Sequence, residues 1–156
     1  MKRHRATLLA ASLIAATALA AGAPVPQSLF GVYVHESKTC GGPGSADDPK
    51  ALDCGLVFDD EMLIEKHLDG RTAGAEVYFS FHYGYGDYCL LDGEGDWDAG
   101  VLRLRSVTKP TPDSCKLSLS AKNGDIQVSD PGNACRQSLC TAPGATLNEL
   151  VFKRKQ

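Results

Sequence analysis

The chain has 156 residues, of which 16 are Lys or Arg, 19 are Asp or Glu and 43% are hydrophobic. A formal net charge of −3 and a pI near 5.8 exclude general binding to nucleic acids or anionic membranes, because both need a basic surface. The apolar content excludes a disordered chain, and the length predicts a single domain.

Residues 1–20 have the pattern of a secretory signal peptide. Three basic residues, Lys2, Arg3 and Arg5, precede an apolar stretch that ends in small residues suited to cleavage after Ala20. An uncleaved anchor is the alternative, but the apolar stretch is short for a membrane span. We therefore expect a periplasmic or secreted protein, residues 21–156, with 13 basic and 19 acidic residues and a net charge of −6.

The first half of the mature chain predicts strands of uneven clarity. Residues 29–35 favour a strand, and residues 40–49 favour a loop because they are rich in Gly, Pro and Asp. Residues 59–68 have acidic residues first and good helix formers, yet the neighbouring pattern favours a strand. Residues 77–83 alternate apolar and polar side chains, as a half-buried strand does.

The second half continues the alternation at 101–105, 115–120, 126–128 and 150–153, with turn residues between. Asn123-Gly124 between two alternating segments is a strong hairpin signal. Residues 135–140 favour one helical turn before the last strand. The fold class predicted is mainly β: a small antiparallel barrel or sandwich, stapled by disulfides.

Six cysteines in an exported chain indicate three disulfides. Fifteen pairings are possible, and sequence does not choose among them. The nearest neighbours along the chain would give Cys40–Cys54, Cys89–Cys115 and Cys135–Cys140. No Cys-x-x-Cys occurs and no His has zinc-ligand spacing to a cysteine, so neither a metal site nor a thiol oxidoreductase is predicted.

Charge is unevenly distributed along the chain. Residues 47–98 hold 14 acidic and 3 basic residues, whereas residues 101–156 hold 4 acidic and 9 basic ones. Either the halves pair as adjacent strands, with Arg103 and Arg105 opposite acidic side chains, or an acidic face attracts a cationic partner. In the second interpretation Tyr85 and Trp97 are the aromatic anchors, and the steering carboxylates are Asp87, Glu94 and Asp96.

No catalytic centre is predicted. Residues 92–98 alternate carboxylates with glycines, but they lack the glycine and the final Glu of a calcium-binding EF-hand loop, which favours an acidic strand and turn. A hydrolase using His82 and a carboxylate stays open, since no nucleophile or phosphate-loop motif marks another site. We predict no cofactor.

The segment from residue 77 to the C-terminus resembles a group of small exported bacterial proteins, mostly of unassigned function. The shared pattern is Cys89, residues 97–104 (WDAGVLRL), 115–119 (CKLSL), 126–128 (IQV), 135–140 (CRQSLC) and 150–154 (LVFKR). This resemblance implies export, disulfides and β structure.

A second resemblance is to the periplasmic lysozyme inhibitors, which are small, exported, disulfide-bonded β proteins. Their Ser-Gly-x-x-Tyr inhibitory loop does not occur in this sequence. The function expected is an exported binding or inhibitory protein of the bacterial envelope, acting on a cationic, lysozyme-like peptidoglycan hydrolase. A structural envelope domain without catalytic activity is the alternative, and a small hydrolase is a third.

Overall fold

A computed structural model describes residues 23–41, 53–84, 87–142 and 144–156. The predicted signal peptide and Tyr85 lie outside these residues, as do the side chains of Cys40 and Cys54. The described chain contains one short α-helix, α1 (Arg136–Leu139), two short 3-10 helices at Gln27–Leu29 and Pro131–Asn133, and eight strands: β1 (Gly31–Gly41), β2 (Asp53–Lys66), β3 (Gly74–Gly84), β4 (Asp87–Asp98), β5 (Val101–Ser106), β6 (Ser118–Lys122), β7 (Asp125–Ser129) and β8 (Val151–Arg154).

The strands form a closed antiparallel barrel in which each strand pairs with the next and β8 returns to β1. The prediction of a mainly β fold is confirmed, and of the two architectures the barrel is the one formed. The ambiguous segment 59–68 lies mostly in β2 and is a strand up to Lys66. No helix in the described ranges is both long enough and apolar enough to cross a membrane.

Alternation decides which side chains fill the barrel. Along β3, Val77, Phe79 and Phe81 are buried, while Tyr78 between them is exposed. Tyr33 and Phe152 are fully buried and bring the first and last strands into the same interior. Burial of such large apolar side chains contributes about 1.5–3 kcal/mol each, so this interior holds the barrel together.

Strand β4 was not predicted over its full length, and its glycines explain why. Gly93 and Gly95 occupy inward positions, where apolar side chains would have completed the alternating pattern. An added Cβ at Gly93 would lie 2.5 Å from the carbonyl oxygen of Arg105, and one at Gly95 would lie 2.5 Å from Cγ of Leu102. Only glycine lets β5 and its side chains approach β4 this closely.

The disulfides in the structure differ from the pairing predicted from the nearest neighbours along the chain. The structure contains Cys89–Cys140 and Cys115–Cys135, so the expected Cys89–Cys115 and Cys135–Cys140 bonds are wrong. The segment after α1 lies beside β4, where Thr141 N–H donates to the carbonyl of Tyr88 at 2.9 Å. This docking brings Cys140 next to Cys89, although 51 residues separate them in sequence.

One end of the barrel is less regular than the other. The β2–β3 ladder stops at Glu61 and Ser80, although both strands continue beyond that pair. The β1–β8 ladder stops at Val34, and β1 continues to Gly41. We call this end, formed by residues 35–41, 53–60, 81–84 and 87–92, the upper end.

Candidate functional site

The four predicted binding residues that the structure describes do not form one compact surface; Tyr85, the fifth, lies outside the described residues. Asp87 begins β4 and Trp97 lies near its end, ten residues further along the same strand. At a rise of about 3.3 Å per residue, roughly 33 Å separate them. Asp87 lies at the upper end of the barrel, whereas Asp96 and Trp97 lie at the opposite end.

Glu94 and Asp96 are engaged by arginines of the described chain. Arg105 forms an ion pair with Glu94 and another with Asp96 at 2.8 Å, and Arg71 reaches Glu94 at 3.3 Å. Desolvation acts to raise the pKa of Glu94, but hydrogen bonds from Arg71 and Arg105 outweigh it and hold that pKa below its ordinary value. For this part of the sequence, the prediction that basic and acidic strands pair is confirmed.

Trp97 is partly buried and packs against the hydrophobic core. Its backbone N–H donates to the carbonyl of Ala73 at 2.7 Å, which fixes the end of β4 against the start of β3. The buried part of the indole thus contributes to the packing of the barrel and not to a binding surface.

A more exposed aromatic side chain lies on the outer surface of β3. Tyr78 is 49% exposed and lies in register between Leu63 of β2 and Asp92 of β4. The next row along these strands is Glu65, Glu76 and Glu94. We call this surface the acidic face; it consists of Tyr78 and the carboxylates of Glu61, Glu65, Glu76 and Asp92.

The carboxylates of the acidic face are only partly neutralised. Glu61 pairs with Lys155 at 3.2 Å, and Glu76 lies 3.6 Å from Nδ1 of His67. Within the described ranges Glu65 and Asp92 form no salt bridge. The face therefore combines an exposed aromatic ring with uncompensated negative charge.

A second polar cluster, which we call the Asp60 cluster, lies at the upper end and consists of Ser37, Asp60 and His82. Asp60 is fully buried, and its Oδ1 accepts hydrogen bonds from the backbone N–H of His82 at 2.8 Å and from Nδ1 of the same residue at 2.7 Å. The hydroxyl of Ser37 donates to Oδ2. The cluster joins β1, β2 and β3 just past the point where the β2–β3 ladder ends.

Apolar and aromatic groups surround the Asp60 cluster. The ring of His82 is stacked on Phe58, with centroids 4.5 Å apart. His35 lies 5.6 Å from Phe81 and 5.5 Å from Phe152 between ring centroids, and its Nδ1 bonds to the carbonyl of Val151 at 2.8 Å. Since a carbonyl only accepts, Nδ1 of His35 carries the hydrogen.

This geometry gives His82 a defined chemical capability. Nδ1–H donates to a buried carboxylate, so in the neutral ring Nε2 carries the lone pair. The side chain is 36% exposed, which gives small molecules access to the imidazole. An imidazole oriented by a carboxylate is the usual arrangement of a general base.

His82 was singled out from the sequence, but Ser37 and Asp60 were not. Asp60 follows Phe58 and precedes Met62 and Ile64 at the same spacing of two, so it occupies a core position of the alternating strand. A lone carboxylate at such a position requires buried hydrogen-bond partners. The position of Asp60 in the apolar alternation could therefore have indicated a buried polar cluster from the sequence. The partners themselves are more than 20 residues away in sequence.

Within the described part of the chain, no three His, Cys, Asp or Glu residues are placed to hold a metal ion. No family model matches the chain, and neither a curated protein nor a solved structure is significantly similar to it.

Proposed function

We propose that this chain is an exported binding protein of the bacterial envelope whose acidic face docks a cationic protein, with a lysozyme-like peptidoglycan hydrolase as the partner it inhibits. The observation that carries the proposal is Tyr78, half exposed in the middle of a surface of carboxylates. The disulfides support the export on which the proposal depends, because such bonds persist in oxidising compartments.

The chemistry of the face suits such a partner. Tyrosine supplies a large contact area with little conformational entropy to lose, and it is enriched among the residues that dominate binding energy. Carboxylates around it accelerate association with a cationic protein and favour that partner over anionic ones. Lysozymes are cationic, and the mature chain predicted above carries a net charge of −6.

Capture of the partner comes first. The oxidised protein, purified after export, is immobilised and exposed to envelope extract at low and at moderate salt. We expect one cationic hydrolase to be retained at low salt, to be released as salt rises and to lose activity when the protein is added. Absence of a specific partner at both salt concentrations contradicts the proposal.

Variants then locate the binding surface. Tyr78→Ala should weaken affinity by about 30-fold or more, the effect of losing a dominant anchor of about 2 kcal/mol. The double variant E65Q/D92N should slow association and reduce its salt dependence. D113N/E149Q removes the same charge from exposed positions outside the acidic face and serves as the matched control. Equal effects of the two double variants would show that only net charge matters.

A small hydrolase is the second candidate function, and the orientation of His82 by Asp60 favours it. In this reading Nε2 of His82 removes a proton from water as the water attacks a neutral envelope substrate. A screen of envelope esters and amides should reveal turnover that His82→Ala abolishes and Asp60→Asn reduces. Turnover retained by His82→Ala would exclude this site as its source.

A structural envelope domain is the remaining alternative. It predicts neither a captured hydrolase nor turnover, so the two experiments above separate it from the other candidates.

A further inference from the structure

The upper half of β1 forms an incomplete sheet edge. β8 pairs with β1 at Tyr33 and Val34, and within the described residues the ladder goes no further. β1 continues from His35 to Gly41, paired on its other side with β2.

The direction of the backbone groups follows from the last bonds of the ladder. Lys155 N–H donates to the carbonyl of Val32 at 2.9 Å, so the peptide groups of Val32 point toward β8. In an antiparallel strand alternate residues point their peptide groups the same way, which extends this orientation to Glu36 and Lys38.

Side-chain chemistry ends the ladder at this point. In the continued register Glu36 would face Val151, but the carbonyl of Val151 bonds to Nδ1 of His35 at 2.8 Å. The imidazole thus takes the acceptor that the next backbone bond would use. The edge beyond it offers backbone donors and acceptors to another strand.

The side chains of this edge leave room for a neighbour and select it by charge. Those of Glu36 and Lys38 are 59% and 72% exposed, and their charged groups lie 3.5 Å apart. A neighbouring strand complements this edge best when it places a basic residue opposite Glu36 and an acidic residue opposite Lys38.

We propose that this edge pairs with the same edge of a second copy of the chain, forming an antiparallel two-fold dimer centred on Ser37. In this register Glu36 of each copy faces Lys38 of the other, so two opposite-charge pairs form across the interface. The sequence around Ser37 is self-complementary in charge, as an isologous contact requires. The hydroxyl of Ser37 keeps its bond to Asp60, because that side chain points into the barrel.

The experiment is sedimentation velocity on the oxidised protein, purified after export, over a wide concentration range. Four proteins are compared: the unaltered chain, E36K, K38E and the double reversal E36K/K38E. Each single reversal puts like charges opposite one another twice, and should weaken the dimer about tenfold or more. The double reversal restores both opposite-charge pairs and should recover the original dissociation constant.

Hydrogen exchange gives a second measurement that no charge effect on solubility would imitate. The amide protons of Glu36 and Lys38 should become protected as the concentration rises, while exposed amides of the Asn123-Gly124 turn should not. A monomer at all concentrations overturns the proposal. So do equal dissociation constants for all four proteins, or a double reversal that stays as weak as the single ones.

Discussion

Removal of the Asp60 carboxylate should strongly destabilise the barrel. Asp60→Ala leaves the Ser37 hydroxyl and two N–H groups of His82 without their acceptor. A buried donor that loses its partner costs about 1–3 kcal/mol, and three donors lose theirs here. We therefore expect a loss of about 3–5 kcal/mol, a large part of a typical stability of about 5–15 kcal/mol.

The more conservative Asp60→Asn should cost only about 1–2 kcal/mol. Its amide oxygen can still accept from His82, and the Ser37 hydroxyl can turn to accept from the amide nitrogen. Urea denaturation with the disulfides intact measures both variants, followed by the fluorescence of Trp97, the single tryptophan of the chain. Asp113→Ala, at an exposed position, is the control and should change stability by less than about 0.5 kcal/mol.

Two results would refute this reasoning. A loss of less than about 1 kcal/mol for Asp60→Ala would mean that water replaces the carboxylate without penalty. Equal losses for the Ala and Asn variants would mean that the charge of the carboxylate, which both variants lack, matters, and that the hydrogen bonds an amide can retain do not.

Three further predictions concern the barrel itself. Removal of the Cys89–Cys140 bond, which closes a loop of 51 residues, should lower the free energy of unfolding by about 4 kcal/mol. Removal of the Cys115–Cys135 bond, which closes a loop of 20 residues, should lower it by about 3 kcal/mol. Urea denaturation of the two paired Cys→Ala variants checks which loss is larger. Gly95→Ala should cost about 1–3 kcal/mol in the same assay, because its Cβ would lie 2.5 Å from Cγ of Leu102. Burial raises the pKa of Asp130 despite backbone hydrogen bonds, so the folded protein is stabilised by protonation and loses that stability as pH rises through the raised pKa. Relative to Asp130→Asn, whose amide does not titrate, the unaltered chain should lose stability as pH rises from about pH 4 toward neutrality; a constant difference across the pH series would contradict this.

The alternation of apolar side chains was enough to predict most of the barrel. The hairpin at Asn123-Gly124 is confirmed: it joins β6 to β7, and its two residues have φ of 55° and 91°. The full length of β4 could not be read in the same way, because two of its inward positions are glycines. Where side chains of the next strand fill the space beneath a strand, its inward positions hold glycines, and the alternation of apolar and polar residues that identifies a strand is lost.

Two predicted disulfides were wrong, and the Asp60 cluster was not predicted, for a common reason. Both depend on contacts between residues far apart in sequence: Cys89 with Cys140, and Asp60 with Ser37 and His82. Spacing along the chain measures only the length of the loop that a bond closes. Which residues meet is decided by strand register and by the docking of the segment after α1, and a single sequence does not encode either in a local pattern.

The structure also changes how the uneven charge of the sequence should be understood. The acidic residues at the end of β4 lie beside the arginines of β5, so much of the contrast between the two halves of the chain cancels between adjacent strands. Among the described residues, the charge left uncompensated lies at Asp92, earlier on β4 itself, and at Glu65 on β2, with Tyr78 of β3 between the two strands. A cationic protein approaching the barrel is attracted by that remainder, because fields from paired charges fall off faster than those from single ones. The anchor that we propose for such a partner is therefore Tyr78, whereas Trp97 lies next to charges that are already paired and packs partly buried against the core.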